Sequence, residues 1–219
     1  MSFDYIVSLI KPMLQGAEMT IILFFIAIII SIPLGFLLTV AVNSSFKLLS
    51  LAAKAYIYIV RGTPLLLQLL IICFGLPMLP VIGPYLVLDR FVAASIGFII
   101  NYAAYFAEIF RGGLLGVDSG QYEAAQVLGL NKWQTMRKII MPQMFRIALP
   151  AVANESVTLI KDTALLYAVA VPELLHFAQT AVNRDFTILP FFLAALIYLL
   201  MTVMISLIFN MLEKRIRFE

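Results

Sequence analysis

Long stretches without a charged side chain dominate the hydrophobic pattern of this chain. They cover residues 19–46, 62–88, 91–107 and 186–212. A transmembrane helix needs about 20 consecutive, mostly apolar residues. Prolines and glycines interrupt the second stretch at 77–84, so its helix should end earlier. The pattern therefore predicts membrane spans over 20–42, 55–76, 90–110 and 188–212, and a short interfacial helix over residues 1–18.

A fifth apolar segment, residues 144–172, has charges within it. Glu155, Lys161 and Asp162 lie in this segment, and the uncharged run that follows Asp162 has only 10 residues. Such a run is too short to cross a bilayer alone. From hydropathy alone, either a fourth helix crosses with charges inside it, or the chain has only four spans.

Basic residues decide between four and five spans. Cytoplasmic flanks of membrane proteins are enriched in Lys and Arg. Eleven of the fifteen basic residues lie in three regions: 47–61, the linker 111–146, and the tail 214–217. The linker and the tail can share the cytoplasmic side only if two spans separate them. We therefore expect five spans, with the N-terminus outside and the C-terminus inside.

The composition excludes a soluble protein. Hydrophobic residues make up 63% of the chain and charged residues 12%, whereas soluble domains carry about 25% charged residues. Disordered chains are likewise more polar. The net charge of +3 does not indicate nucleic-acid binding. With one cysteine and one histidine, we expect no disulfide framework, no metal site and no cofactor. The chain is predicted to be an all-α membrane protein.

The linker 111–146 carries a spaced motif. Asp118 to Gly120 predict a turn and a helix start, and a short helix should follow from Tyr122 to Leu128. A second helix should begin after Asn131, and Pro142 should end or kink it. The motif consists of Glu123-Ala124-Ala125, three residues, Gly129, nine residues, Ile139, one residue, and Met141-Pro142.

This spacing resembles the EAA signature of the membrane subunits of ATP-binding cassette importers. Only Met141 departs from it, since the family has Leu at this position. The resemblance implies a helix that docks in a groove of the ATPase subunit and transmits its closure to the membrane. The implied ATPase-coupling residues are Glu123, Ala124, Ala125, Gly129 and Gly120. The alternative is an amphipathic helix that lies on the membrane surface.

Further segments narrow the resemblance to polar amino-acid permeases. Arg61-Gly62-Thr63-Pro64-Leu65 with Gln68 is similar to the start of their second span, and residues 103–121 are similar to the end of their third. Lys161-Asp162-Thr163-Ala164-Leu165 resembles their Lys-Asp-Thr-Ser-Leu motif. Residues 171–179 resemble the cystine-type branch. Tyr102 and Glu155 depart from many relatives.

The charges within the fifth apolar segment, residues 144–172, form the candidate substrate site. Charges inside a membrane are costly and usually functional. Residues seven apart share a helix face, so this segment carries a polar stripe. For an amino-acid substrate, Lys161 could neutralise the carboxylate and Asp162 the ammonium group. The predicted substrate-binding residues are Lys161, Asp162, Thr158, Asn154, Glu155, Gln68 and Tyr102. Alternatively, Lys161 and Asp162 pair with each other or with helix ends and only stabilise the fold.

The resemblance implies a type I importer permease fold, with residues 1–219 as a single transmembrane permease domain and a cytoplasmic coupling segment at about 111–143. The function it implies is ATP-driven amino-acid import by alternating access at a bacterial cell (inner) membrane, for cystine or another polar amino acid. ATP and Mg²⁺ would bind a separate ATPase subunit, because the chain has no Gly-x4-Gly-Lys-Ser/Thr loop. The other expected partners are a second permease copy or similar subunit, an extracellular or periplasmic amino-acid-binding protein, and the lipid bilayer.

Other functions stay open on the sequence alone. The substrate could be glutamine, glutamate, arginine or histidine. The polar stripe could also line a passive channel or pore. An intramembrane enzyme is disfavoured, because a single histidine leaves little for a nucleophile–base pair or a metal site.

Overall fold

A computed structural model describes residues 3–216 of the chain, so Arg217 of the basic tail lies outside the described residues. The described part contains helices and connecting loops and no β-strand. Three helices are long and apolar enough to cross a membrane, and the number rises to five if each of two bent helix pairs counts as one span.

Helix α1 is longer than predicted. It runs without interruption over Phe3–Val42, so the expectation of a separate interfacial helix at 1–18 is wrong. Its N-terminal part is held by packing: Leu9 and Met13 are buried, and Gly16 lies against the backbone of Glu173. Forty residues make a helix about 60 Å long, about twice the hydrocarbon thickness of a bilayer.

The second predicted span is broken. Helix α2 covers Lys47–Arg61, and helix α3 covers Leu65–Leu70 and continues as a π-helical turn and a 3-10 turn to Met78. The two parts meet at an angle of 102°. Pro64 lacks an N–H group and disfavours helical geometry at the preceding residue, which ends α2. The straight helix expected over 55–76 is therefore wrong.

Helix α4, Arg90–Leu115, is the central helix of the fold. Within the protein, 61% of the most apolar stretch of α4 is buried. The corresponding fraction for helix α9, Leu189–Ile216, is 17%. Both confirm predicted spans. The side chain of Asp89 caps α4.

Helices α1 and α4 approach closely along their length. A Cβ atom at Gly35 would lie 2.6 Å from the Cβ of Phe106, so only glycine fits there. Thr39 Oγ1 donates a hydrogen bond of 2.9 Å to the carbonyl of Ala107, and Ser31 Oγ donates one of 3.2 Å to the carbonyl of Ile99. Such bonds satisfy hydroxyl groups that lipid could not.

The linker forms helices, as predicted. Helix α5 covers Gly120–Val127 and α6 covers Lys132–Thr135. A π-helical turn, Met136–Ile140, joins α6 to α7, Met141–Asp162, and a 3-10 turn continues to Val169. Pro142 thus does not end the helix, which continues through it directly after the π-helical turn.

Helix α8, Leu174–Asp185, follows α7 at a bend of 55°. The carboxylate of Glu173 is fully buried at its start. One oxygen accepts from the backbone N–H of His176 at 2.9 Å, and the other accepts from the hydroxyl of Tyr198 at 2.6 Å. This capped carboxylate joins α8 to α9.

Candidate functional site

A polar cleft lies between the break in the second span and helix α7. Its volume is about 440 Å³. The break contributes one wall, α7 contributes the other, and α4 forms the floor. The lining residues are Arg61, Gly62, Thr63, Pro64, Leu65, Asn101, Tyr102, Tyr105, Glu155, Thr158 and Asp162.

The α7 wall carries two carboxylates. Glu155, Thr158 and Asp162 are separated by three and four residues, which places them on one helix face. Asp162 accepts a hydrogen bond of 2.8 Å from the hydroxyl of Tyr102. Tyr102 itself is 1% exposed and its ring stacks on Phe98. Asp162 is therefore held by a rigid donor on the cleft floor.

The opposite wall is the break, and Gln68 holds it in place. The Gln68 amide nitrogen donates to the carbonyl of Val60 at 2.8 Å and to Thr63 Oγ1 at 2.8 Å. The Gln68 amide oxygen accepts from Asn101 Nδ2 at 3.0 Å. One side chain thus satisfies a carbonyl at the open end of α2 and ties the break to α4.

Arg61 brings a positive charge to the cleft. It is the last residue of α2, and its guanidinium lies 5.3 Å from the ring centroid of Tyr105. Its Nη1 is 3.7 Å from Glu108 Oε2. Glu108 is already bound by Arg111, whose Nε donates to both carboxylate oxygens at 3.0 Å. Arg61 is the weaker of the two partners of Glu108.

The structure brings together only part of the predicted substrate site. Tyr102, Glu155, Thr158 and Asp162 share the cleft. Asn154 and Lys161 are exposed and do not line the cleft, because a rotation of about 100° per residue turns them onto another side of α7.

The remaining predicted residue, Gln68, does not line the cleft. It lies behind the wall formed by the break, where its amide group forms hydrogen bonds with Val60 and Asn101. Sequence reasoning left the role of Arg61 open and missed Asn101 and Tyr105. Asn101 could have been found from its spacing, because it lies seven residues before Glu108 and therefore on the same face of α4.

A cleft of this polarity does not suit a lipid-facing surface. Two carboxylates and a guanidinium in contact with acyl chains would each cost several kcal/mol. The cleft must therefore open toward water or toward another protein surface. No group of three metal-ligating side chains occurs in residues 3–216, and the cleft carboxylates are two only.

The coupling segment presents part of its motif to solvent. Glu123 and Ala124 are exposed on α5, while Ala125 is buried against the protein. A hydrogen bond of 3.0 Å between the side chains of Gln143 and Gln121 ties α5 to α7. The motif thus has one side that anchors the helix and one that is free to meet a partner.

The turn after α5 explains the glycine of the motif. Gly129 has a φ of +71°, and the N–H groups of Gly129 and Leu130 bond to the carbonyls of Gln126 and Ala125. This is the Schellman arrangement, which favours glycine. Asn131 then starts α6 with a capping box, in which its side chain and that of Gln134 each accept a backbone N–H. Gly120 begins α5, and its N–H donates to Asp118 at 2.7 Å.

Residues 31–218 match the family described as binding-protein-dependent transport system inner membrane component. The chain belongs to this family. Within it, the chain is an ABC importer permease of the polar amino-acid group, since its relatives are amino-acid permeases along their whole length. The family favours an importer over a passive pore or an intramembrane enzyme.

Two relatives from Bacillus subtilis (strain 168) illustrate this membership. The probable amino-acid ABC transporter permease protein YckA is 39% identical, and the match covers 98% of this chain and 90% of YckA. The arginine transport system permease protein ArtQ is 33% identical, with 99% and 98% covered.

A solved structure has the same fold. It is described as the crystal structure of an amino acid ABC transporter with histidines, is 33% identical, and superposes with a TM-score of 0.89 over 98% of this chain and 99% of its own. The present chain is therefore an integral membrane subunit of an amino-acid importer with the ABC importer permease fold.

The Gln68 contacts predict a specific loss of order. Gln68→Leu should speed amide hydrogen exchange over 58–65 about tenfold, because the hydrogen bonds to Val60 and Thr63 and the bond from Asn101 are lost at once. Mass-spectrometric exchange on the purified subunit in nanodiscs measures this. Gln126→Leu, at an exposed position on α5, is the control. Equal exchange of 58–65 in the two variants would show that Gln68 does not hold the break.

Proposed function

We propose that the cleft binds the transported amino acid and that the chain forms half of a translocation path that works by alternating access. The observation that carries the proposal is the pair of carboxylates, Asp162 and Glu155, that α7 places in an open polar cleft. An ammonium group would pair with Asp162, whose second partner is the hydroxyl of Tyr102. Thr158 would add a neutral hydrogen bond.

The charges of the cleft favour a substrate with two cationic groups. Cystine carries two ammonium groups, and the resemblance of residues 171–179 to the cystine-type branch supports it. Arginine carries an ammonium and a guanidinium group, and the relative ArtQ is named for arginine transport. Glutamine or glutamate would leave one carboxylate without a partner, which is costly at membrane depth. We propose cystine as the substrate and arginine as the second candidate; competition uptake over a panel of amino acids separates them.

A second copy of the chain, or a similar chain, would close the cleft. Charged lining residues cannot face lipid, and one chain leaves the cleft open on one side. The exposed Asn154 and Lys161 of α7 would then face the shared path. Through that path Lys161 could still reach the substrate carboxylate, as the sequence predicted.

The exposed part of α5 would dock on a separate ATPase subunit that binds ATP and Mg²⁺. Glu123 and Ala124 offer a charge and a small side chain on the free side of the helix. Closure of two ATPase subunits would move α5, and the continuous helix from Lys132 to Val169 would transmit this movement to the cleft. An amino-acid-binding protein would deliver substrate on the other side of a bacterial cell (inner) membrane.

We propose five spans, in which each bent helix pair crosses once, and an external N-terminus. The basic residues of 47–61 and of the linker support this orientation.

Asp162→Asn should lower amino-acid uptake by about tenfold or more, because a hydrogen bond to a charged partner contributes about 1.5–3 kcal/mol. Radiolabelled cystine and arginine uptake into proteoliposomes that hold the whole importer measures the effect. Asp89→Asn is the matched control, since Asn caps α4 as well as Asp does. Uptake that survives Asp162→Asn at the level of the control would remove Asp162 from the site.

Glu123→Ala should uncouple the importer. Uptake per ATP hydrolysed should fall several-fold while the subunit stays in the membrane, because the docking charge is lost from an exposed position. Parallel phosphate-release and uptake assays measure the ratio. Gln126→Ala on the same helix is the control. An unchanged ratio in Glu123→Ala would contradict the proposed docking.

The orientation is tested by cysteine labelling in a Cys73→Ser background. A membrane-impermeant maleimide should label Asp4→Cys in intact cells and Lys132→Cys only after permeabilisation, because of these two positions only Asp4 would lie on the outer side. The reverse pattern would invert the proposed topology.

A further inference from the structure

Among the residues that the structure describes, Arg61 is the one basic side chain that lines the cleft. The side chain is 39% exposed, so it is open to a ligand. Lys161, to which the sequence assigned the carboxylate of the substrate, does not line the cleft of its own chain. The positive charge on the lining of the cleft thus comes from the end of α2, directly before the break.

The contacts of Arg61 are loose ones. Its nearest carboxylate oxygen, on Glu108, is 3.7 Å away, which exceeds the usual length of a charged hydrogen bond. Glu108 has a closer partner in Arg111, which binds both of its oxygens. The ring of Tyr105 supports the guanidinium from one side. Arg61 can therefore turn away without leaving Glu108 unpaired.

Every amino acid brings a carboxylate as well as an ammonium group. A carboxylate that enters a cleft with two carboxylates on its wall needs a cationic partner, because burial of an unpaired charge is costly. Arginine suits this task, since its planar guanidinium can donate two parallel hydrogen bonds to one carboxylate.

We propose that Arg61 binds the α-carboxylate of the substrate and leaves Glu108 when it does so. This inference rests on the proposed function, in which the cleft binds an amino acid. Because Arg61 ends α2 at the 102° break, the same movement links occupancy of the cleft to the geometry of the broken span. Arg61 is thus a specificity-determining residue that requires a carboxylate in the ligand.

The test compares each amino acid with the amine that lacks its carboxylate. Binding of L-arginine and agmatine, and of L-cystine and cystamine, is measured on the purified permease–ATPase complex in nanodiscs without a binding protein. The wild type should prefer the amino acid over the amine. Arg61→Gln should lower amino-acid affinity about 10- to 100-fold, the range expected for a charged hydrogen-bonded contact, and leave amine affinity unchanged. Arg61→Lys should lie between, because it keeps the charge and loses the paired hydrogen bonds.

Glu108→Gln is the control for a purely architectural role of the ion pair. It removes the other partner of Arg61 and should leave the preference for the amino acid intact or strengthen it. A loss of preference in Glu108→Gln equal to that in Arg61→Gln would overturn the carboxylate contact. An unchanged preference in Arg61→Gln would overturn it as well.

The two proposals fail in different ways. If Asp162→Asn abolishes binding and Arg61→Gln keeps the wild-type preference, the cleft is the binding site and Arg61 is not its carboxylate partner. If the wild-type complex binds none of the four probes, the proposed amino-acid site in the cleft is contradicted, and so is the proposed role of Arg61. Elution of each variant as an intact complex on size exclusion separates both results from misfolding.

Discussion

The break in the chain at Gly62–Pro64, and the way Gln68 holds it against α4, is the constraint on which the cleft depends. A continuous helix would fill the space beside α7 with its own side chains and present an unbroken apolar surface. The break turns the chain by 102° and leaves backbone groups that need partners within the protein. The side chains of Gln68 and Thr63 supply those partners, and Asn101 on α4 holds Gln68 in place, so a polar opening can exist here without leaving these carbonyls unpaired.

The few charges within the apolar part of the molecule are arranged as pairs of different strength. Glu108 and Arg111 form a close pair that keeps its place on α4. Asp162 accepts a hydrogen bond from a buried neutral hydroxyl. The cleft therefore contains a carboxylate that is oriented by a neutral donor, and such a group attracts a cationic ligand in a site of low dielectric constant.

The coupling segment and the cleft belong to one mechanical unit. The helix that begins at Lys132, next to the turn after α5, continues to Val169 and carries Glu155 and Asp162 on its way. Its π-helical turn at Met136–Ile140 and Pro150 are the places where such a helix bends most easily. A displacement of α5 can thus be transmitted along one continuous helix to the carboxylates of the cleft. This helix can bend at the π-helical turn and at Pro150.

Much of the architecture was determined by the sequence itself. The apolar runs of α1, α4 and α9 were long enough to identify as helices, and Asn131 and Gly129 marked the helix ends of the coupling segment, because capping and positive φ are local requirements. The family was indicated by a resemblance, in residue types as well as spacing, of the motif at 123–142 and of further segments to those of known permeases. Three features were decided only by the tertiary structure: the 102° angle of the break before Pro64, the extension of α1 to Phe3, and the presence of Asp162 but not its neighbour Lys161 in the cleft. Each depends on contacts between residues far apart in the chain: Gln68 with Asn101, Gly16 with Glu173, and Tyr102 with Asp162. Hydropathy placed both charges of the Lys161–Asp162 pair on one polar stripe, but the packing of α7 on α4 set the rotation of that stripe, and with it which charge entered the cleft.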